Sequence, residues 1–267
     1  MENTPNTPQA GLTGTVLFYK NPQPLNPEQH AGLGVKKIDE PFGFLREAHA
    51  VPVTVTEFGM AGTSYPVIFV GETYQPVAVM GVRDGENLFV TAEGQAEQDF
   101  YMPAFVRRYP FVFANDNQGE RLLLCIDRDA PMVTNQPEVA LFENGQPTEF
   151  TQNAINFCEE FERQRRATVE FVNLVSSLGL FEEKSVMYQP RDPQGNPVGE
   201  QQKIADYWAI DEAKLNNLDD EGFKKLREQG ALGAIYAHMI SLLNWQRIIT
   251  RALSTQAAAQ PAQAPVA

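Results

Sequence analysis

Pro66-Val67-Ile68-Phe69-Val70-Gly71-Glu72-Thr73-Tyr74-Gln75-Pro76-Val77-Ala78-Val79-Met80-Gly81-Val82 holds two apolar runs separated by a short polar spacer that contains Gly71. Pro66–Val70 and Pro76–Val82 read as strands, because β-branched residues bounded by glycine and polar residues fit a pleated, buried surface. The spacer is too short for a parallel crossover, which needs a dozen or more residues. The pair is therefore antiparallel, and the sheet of this protein grows outward from it.

Upstream, Val51–Thr56 alternates, with Val51, Val53 and Val55 on one face and Thr54 and Thr56 on the other. Thr15–Tyr19 is a further short apolar run. Downstream, Arg83-Asp84-Gly85-Glu86 before Asn87–Val90 predicts a hairpin, as does Asn115-Asp116-Asn117-Gln118-Gly119 between Phe111–Ala114 and Arg121–Ile126. The chain then turns helical. Thr148 and Thr151 offer N-caps for a helix to about Leu178, with Ala154, Cys158, Phe161, Val169 and Val172 on one face and Gly179 as its stop. Val186–Gln189 and Lys203–Trp208 predict a second, isolated hairpin. Asp219 predicts the N-cap of a helix closed by Gly230, with Leu218 and Phe223 as a hydrophobic staple. A last helix is expected over Leu232–Ala252, with Leu232, Ile235, Tyr236, Met239, Leu243 and Gln246 on its buried stripe and the 151–178 helix as its partner.

This pattern is α+β, an antiparallel β-rich N-terminal part packed with a helical C-terminal part. The expected organisation is a disordered arm at 1–11, a β-rich part at 12–146, a helical part at 147–254 with the hairpin near 186–208, and a disordered tail at 255–267. Both ends are too polar to offset the entropy of ordering.

Composition narrows the function. The 267 residues carry a formal net charge of −13, with a sequence pI near 4.7. Nucleic-acid binding wants a basic footprint, so that class is not expected. Two cysteines, Cys125 and Cys158, do not make a disulfide scaffold or a Cys-based zinc site. The longest apolar stretch, Gly230–Leu243, is too short for a bilayer crossing and holds His238 and Ser241. Met1–Gly11 has no basic n-region and no apolar h-region. The expected compartment is the cytoplasm, with signal-independent export left open.

Familiar catalytic patterns are missing. No P-loop occurs, and Gly32-Leu33-Gly34 lacks the third glycine of a dinucleotide loop, having Lys37 instead. No Gly-x-Ser-x-Gly elbow occurs either. The three histidines, His30, His49 and His238, have no ligand spacing, so neither a metal nor a cofactor is expected. Asp127-Arg128-Asp129 places two carboxylates at a strand end, as acid residues or ion holders, or as a solvated loop with an ion pair. Arg165 falls within the apolar stripe of the 151–178 helix, where a guanidinium must be paired, either with a structural carboxylate or with an anion in a cleft. The stretch from Tyr101 to Phe111 is the richest in binding chemistry. Tyr101, Arg107, Arg108, Tyr109 and Phe111 are residue types that anchor interfaces, and the paired guanidiniums can grip carboxylates. The competing reading is a short helix whose Phe105 and Tyr109 fill the core.

The same stretch, Tyr101-x-Pro103-Ala104-x-x-Arg107-Arg108-Tyr109-Pro110-Phe111, resembles the central signature of the bacterial SapC family. Phe44, Val51-Pro52-Val53, Glu57-Phe58 and Tyr65–Phe69 resemble its N-terminal block. Gly81, Gly85–Val90, Leu141-Phe142 and Gly145 follow, then Asp211-Glu212-x-Lys214-Leu215-x-x-Leu218 and Ala237-His238-x-x-Ser241-Leu242. The resemblance runs in order over about residues 15–250. It implies association with a paracrystalline surface layer and a bacterial envelope or surface protein as partner. It implies no activity and no catalytic residue. Two functions are therefore expected. The first is a non-catalytic binding or structural protein of surface-layer or envelope biology. The alternative is an enzyme or enzyme accessory that takes a peptide or small acidic ligand between the β-rich and helical parts. Oligomeric state is not legible.

Overall fold

A computed structural model describes residues 17–115, 122–189 and 196–259. In chain order the elements are β1 (Pro22–Pro24), β2 (Gly34–Val35), β3 (Ala50–Pro52), α1 (Phe58–Ala61), β4 (Val67–Val70), β5 (Gln75–Val79), α2 (Ala104–Arg107), β6 (Phe111–Asn115) and β7 (Leu122–Asp127). Then come β8 (Val133–Thr134), β9 (Val139–Ala140), β10 (Phe142–Glu143), β11 (Gln146–Pro147), α3 (Glu149–Ser177), β12 (Phe181–Tyr188) and β13 (Gln202–Ile210). Four helices close the chain: α4 (Glu212–Asn216), α5 (Asp220–Glu228), α6 (Leu232–Ser241) and α7 (Asn244–Ala259). Antiparallel sheets fill the first half and helices dominate the second, so the class is α+β. Two compact units result, Met1–Pro41 with Arg108–Glu162, and Phe42–Arg107 with Arg163–Ala267.

In the first unit β6 and β7 pair antiparallel, from Phe111↔Ile126 to Asn115↔Leu122, and β1 adds to the other side of β7. The turn predicted between β6 and β7 lies largely outside the described residues. Leu33, Phe111, Ile126, Leu141, Phe142 and Cys158 form the core. Gly34 has a packing reason rather than a phosphate-binding one. It sits in β2 between β8 and β9, where an added Cβ would collide with the Val139 carbonyl. Residues 17 and 18 form a turn, so the apolar run at Thr15–Tyr19 yields no strand there.

The second unit is built on a five-stranded antiparallel sheet in the order β12-β13-β4-β5-β3. The β4–β5 pair is the one read directly from the sequence, in register Val67↔Ala78 to Val70↔Gln75. The hairpin β12–β13 is not isolated. Trp208 of β13 pairs with Phe69 of β4, which covers an edge that would otherwise present unpaired backbone groups. The hairpin expected after Arg83–Glu86 also needs correction. Asn87–Val90 is buried but is not a strand; the Asn87 amide donates to the Leu45 and Ala48 carbonyls, and its Oδ1 accepts from Phe89 N. On one sheet face Phe69 meets Phe58, Phe181 and His238, with ring centroids 6.0, 4.9 and 5.0 Å away. The Phe58 and Phe181 contacts are edge-on, a geometry that adds to their burial energy.

Helix α5 begins as expected. Asp219 accepts from Gly222 N at 2.8 Å, and Gly230, at φ +66°, ends the helix while Ala231 N reaches back to the Leu226 carbonyl. Asp219→Ala is expected to cost about 1 kcal/mol in urea denaturation, the usual price of a lost N-cap. A cost within error of zero would mean that solvent serves the cap equally well.

The single terminal helix resolves into α6 and α7, broken at Leu242–Leu243. The break is held by Asn244, whose amide donates to the Gly62, Tyr65 and Ser241 carbonyls. The buried stripe of α6 is Ile235, His238 and Ser241, whereas Tyr236 and Leu243 of the expected stripe are 47% and 76% exposed and Gln246 is exposed. Helix α6 packs on α1, β4 and β13. Polar residues win the buried face because they serve the sheet. Ser241 Oγ accepts from Val67 N at 3.0 Å, and the His238 ring joins the Val67 carbonyl to Ile210 N. No described helix is long and apolar enough to cross a membrane.

Candidate functional site

The residues from Tyr101 to Phe111 divide between the units. Tyr101 and Arg107 belong to the second, Arg108, Tyr109 and Phe111 to the first.

In the second unit the organising group is Glu57, which is 5% exposed. Its position follows from Thr54-x-x-Glu57, a capping box at the head of the turn that leads into α1. Oε2 accepts from Thr54 N at 2.9 Å and Thr54 Oγ1 at 2.8 Å. Oε1 accepts from the Tyr101 hydroxyl at 2.8 Å and from Ala104 N at 2.6 Å, at the start of α2. Tyr101 is thereby fixed by its side chain, by its carbonyl, which accepts from Tyr65 OH, and by its N–H, which donates to Ser64 Oγ. Burial, then the Glu57 charge, pushes the Tyr101 phenol pKa up. Arg107 donates from Nη2 to Tyr101 OH at 3.2 Å and from Nε to the Met102 carbonyl at 3.0 Å. Its guanidinium carbon lies 5.8 Å from the Tyr101 ring centroid. Around it opens a groove lined by Met60, Thr63, Asp99, Phe100, Tyr101, Met102 and Arg107.

In the first unit Asp127 is fully buried and accepts from Lys20 N, Asn21 N, Asp129 N and Tyr109 OH at 3.0, 2.8, 3.3 and 3.2 Å. Its lone pairs are turned inward to the chain's own donors. Asp129 is exposed and takes the Asn21 amide at 3.3 Å, while the buried Asp127 takes the backbone N–H of the same residue. Arg108 lies over the Phe161 ring at 4.5 Å and the Tyr19 ring at 5.8 Å, and its burial lowers the guanidinium pKa. Phe111 is a core residue whose carbonyl accepts from Tyr19 OH.

Arg165 is not where its spacing predicted. It is exposed, because Gln164 takes the inward position one residue earlier, 3.3 Å from Thr54 Oγ1. One residue turns an α-helix by about 100°, and a long cation at that position is best left in water. Val169, 47% exposed, is likewise off the buried stripe, which passes instead through Thr168, Phe171, Val172 and Val175.

His238 is fully buried with both ring nitrogens bonded, and burial brings its pKa to about 4. Burial also pushes the Cys125 and Cys158 thiols up to about 11, which leaves them weak nucleophiles. Among the described residues no group of three or more His, Cys, Asp or Glu could hold a metal ion. Sequence reading passed over Glu57 as a functional residue, although the Thr54-x-x-Glu57 spacing was the available signal. It also passed over Arg247 and Arg251, which have helical i, i+4 spacing. A family model described as SapC matches residues 25–248. No curated protein and no solved structure matches the chain.

Proposed function

The chain belongs to the SapC family, and from that premise we propose that it is a non-catalytic binding protein of surface-layer or envelope biology. Its partner is a bacterial envelope or surface protein, and the docking surface is the groove around Tyr101 and Arg107. The observation that carries this reading is the groove's composition. Arg107 is held in place by Tyr101 and Met102, beside a Met60 side chain that is 60% exposed. A pre-positioned guanidinium among aromatic and methionine side chains is what interface anchors are made of. Exposed apolar surface continues to be available on α6, the helix that packs on α1. Tyr236 and Ile240 on α6 are 47% and 63% exposed, and Leu243 in the turn that follows is 76% exposed. By contrast the buried carboxylates Glu57 and Asp127 are occupied by donors of the chain itself, which suits structural work.

The test is capture from an envelope fraction of the native host with the tagged full chain, followed by quantitative mass spectrometry. The Met60→Asp/Arg107→Ala double variant is expected to recover the envelope partner at least about tenfold less well, since anchor residues cost 2 kcal/mol or more when truncated. Equal recovery would remove the groove as the docking surface. Recovery of no envelope protein by the wild type would overturn the reading itself.

A further inference from the structure

The second unit holds a cavity of about 350 Å³ that the docking groove does not account for. Its walls are Ser64, Phe89, Phe100, Ile248 and, from the first turns of α7, Gln246, Arg247, Thr250 and Arg251. The size is at the lower end of small-molecule sites, which are apolar cavities with a few placed polar groups. We infer that this cavity binds a small aromatic monocarboxylate.

The body of the ligand follows from the walls. Phe89 and Phe100 meet edge to face with centroids 4.5 Å apart, and Ile248 is buried beside the cavity. A flat ring packs against such walls edge-on or offset.

The charge follows from the arginines. Arg251 is fixed in the cavity wall, its guanidinium carbon 5.0 and 5.2 Å from the Phe89 and Phe100 centroids. Its Nε donates to the Leu88 carbonyl at 2.6 Å, and its Nη2 pairs with Glu97 Oε1 at 2.9 Å. Arg247 donates from Nη1 to the Thr63 carbonyl and to Asn244 Oδ1, at 3.1 and 3.0 Å. Both of these acceptors are neutral, and among the described residues no carboxylate pairs with Arg247. Arg251 thus has a carboxylate partner, whereas the guanidinium of Arg247, held by neutral acceptors, keeps N–H donors for an anion. One unmatched planar cation calls for one carboxylate, which its fork can bind through parallel N–H donors. Ser64, Thr250 and Gln246 also line the walls, but their polar groups already bond within the chain, Ser64 Oγ to Tyr101 N and Thr250 with Gln246, so Arg247 carries the anion specificity.

The experiment is isothermal titration calorimetry of the full chain with phenylacetate and the larger naphthylacetate, each against its neutral amide. At least one acid is expected to bind, and its amide at least tenfold more weakly. Arg247→Gln, at an exposed helix position, is expected to weaken the acid tenfold to a hundredfold, the worth of a charged hydrogen bond. Thr250→Phe, also at an exposed position, is expected to fill the cavity and abolish binding while the circular dichroism spectrum is kept. Absence of binding by both acids up to about 5 mM, equal affinity for acid and amide, or unchanged affinity in both variants would each overturn the site. Phe100 lines both the cavity and the groove, and Arg247 holds the carbonyl of the groove residue Thr63, so the direct titration with the two acids, and not partner capture, reads this site.

Discussion

Glu57→Ala is expected to lower the unfolding free energy by about 3 to 5 kcal/mol, the range for breaking a buried charge network. The carboxylate satisfies two backbone donors, Thr54 N and Ala104 N, and two hydroxyls, those of Thr54 and Tyr101. Alanine leaves the Ala104 N–H buried at the start of α2 with nothing to receive it, and releases the phenol that holds Arg107 in place. Glu57→Gln keeps the shape and one oxygen acceptor, so it is expected to cost less than alanine but more than a surface change. Urea denaturation of the three proteins checks the order. A loss below about 1 kcal/mol in Glu57→Ala would show that water replaces the carboxylate and that α2 does not depend on it. If the groove is the docking surface, the same variant is expected to weaken partner capture through Arg107.

Acidification is expected to destabilise the protein by about 3 kcal/mol through His238 alone. The ring's pKa is near 4 when buried, against an ordinary value of 6.5 in the unfolded chain. The unfolded chain therefore takes up the proton first, as pH falls below 6.5. Stability is fully present above that value, is lost progressively as pH drops toward 4, and levels off below. The geometry gives the cause. Nε2 accepts from Ile210 N at 3.0 Å, so the proton sits on Nδ1 and is donated to the Val67 carbonyl at 2.8 Å. Protonating Nε2 would break the bond to β13 inside the core. Comparing the pH dependence of wild type and His238→Gln between pH 6.5 and 4 isolates this effect from the carboxylates. Parallel curves would remove His238 as the acid-sensitive group.

Neighbouring residues carried most of what could be read in advance. The β4–β5 and β6–β7 pairs, the cap at Asp219 and the stop at Gly230 all depend on a few adjacent positions. The run from Arg83 to Val90 shows where that fails. A glycine turn between apolar segments has a hairpin's signature, yet Asn87 spends its amide on the Leu45 and Ala48 carbonyls and no second strand forms. On α6, counting apolar residues selected Tyr236 and Leu243, and the structure exposes both. Hydrophobicity marks what water rejects, but it cannot see that the backbone of Val67 needs His238 and Ser241 as partners.

The candidate site divides the same way. The residue types at Tyr101, Arg107, Arg108 and Tyr109 are those expected at a binding surface. Which of them are occupied was decided by distant partners. Tyr109 is bound to Asp127, Arg108 lies over Phe161, and Arg107 is held by Tyr101 and Met102 at the edge of a groove. By itself the sequence determined the α+β class, the local antiparallel pairs, the helix caps and the absence of the familiar catalytic motifs, because each depends on short-range spacing. Tertiary structure alone decided that β13 joins β4, that Glu57 receives Tyr101, and that Arg165 faces water. Each of those depends on which backbone and side-chain groups are left without a partner once the local elements have formed, and that is a property of the packed chain.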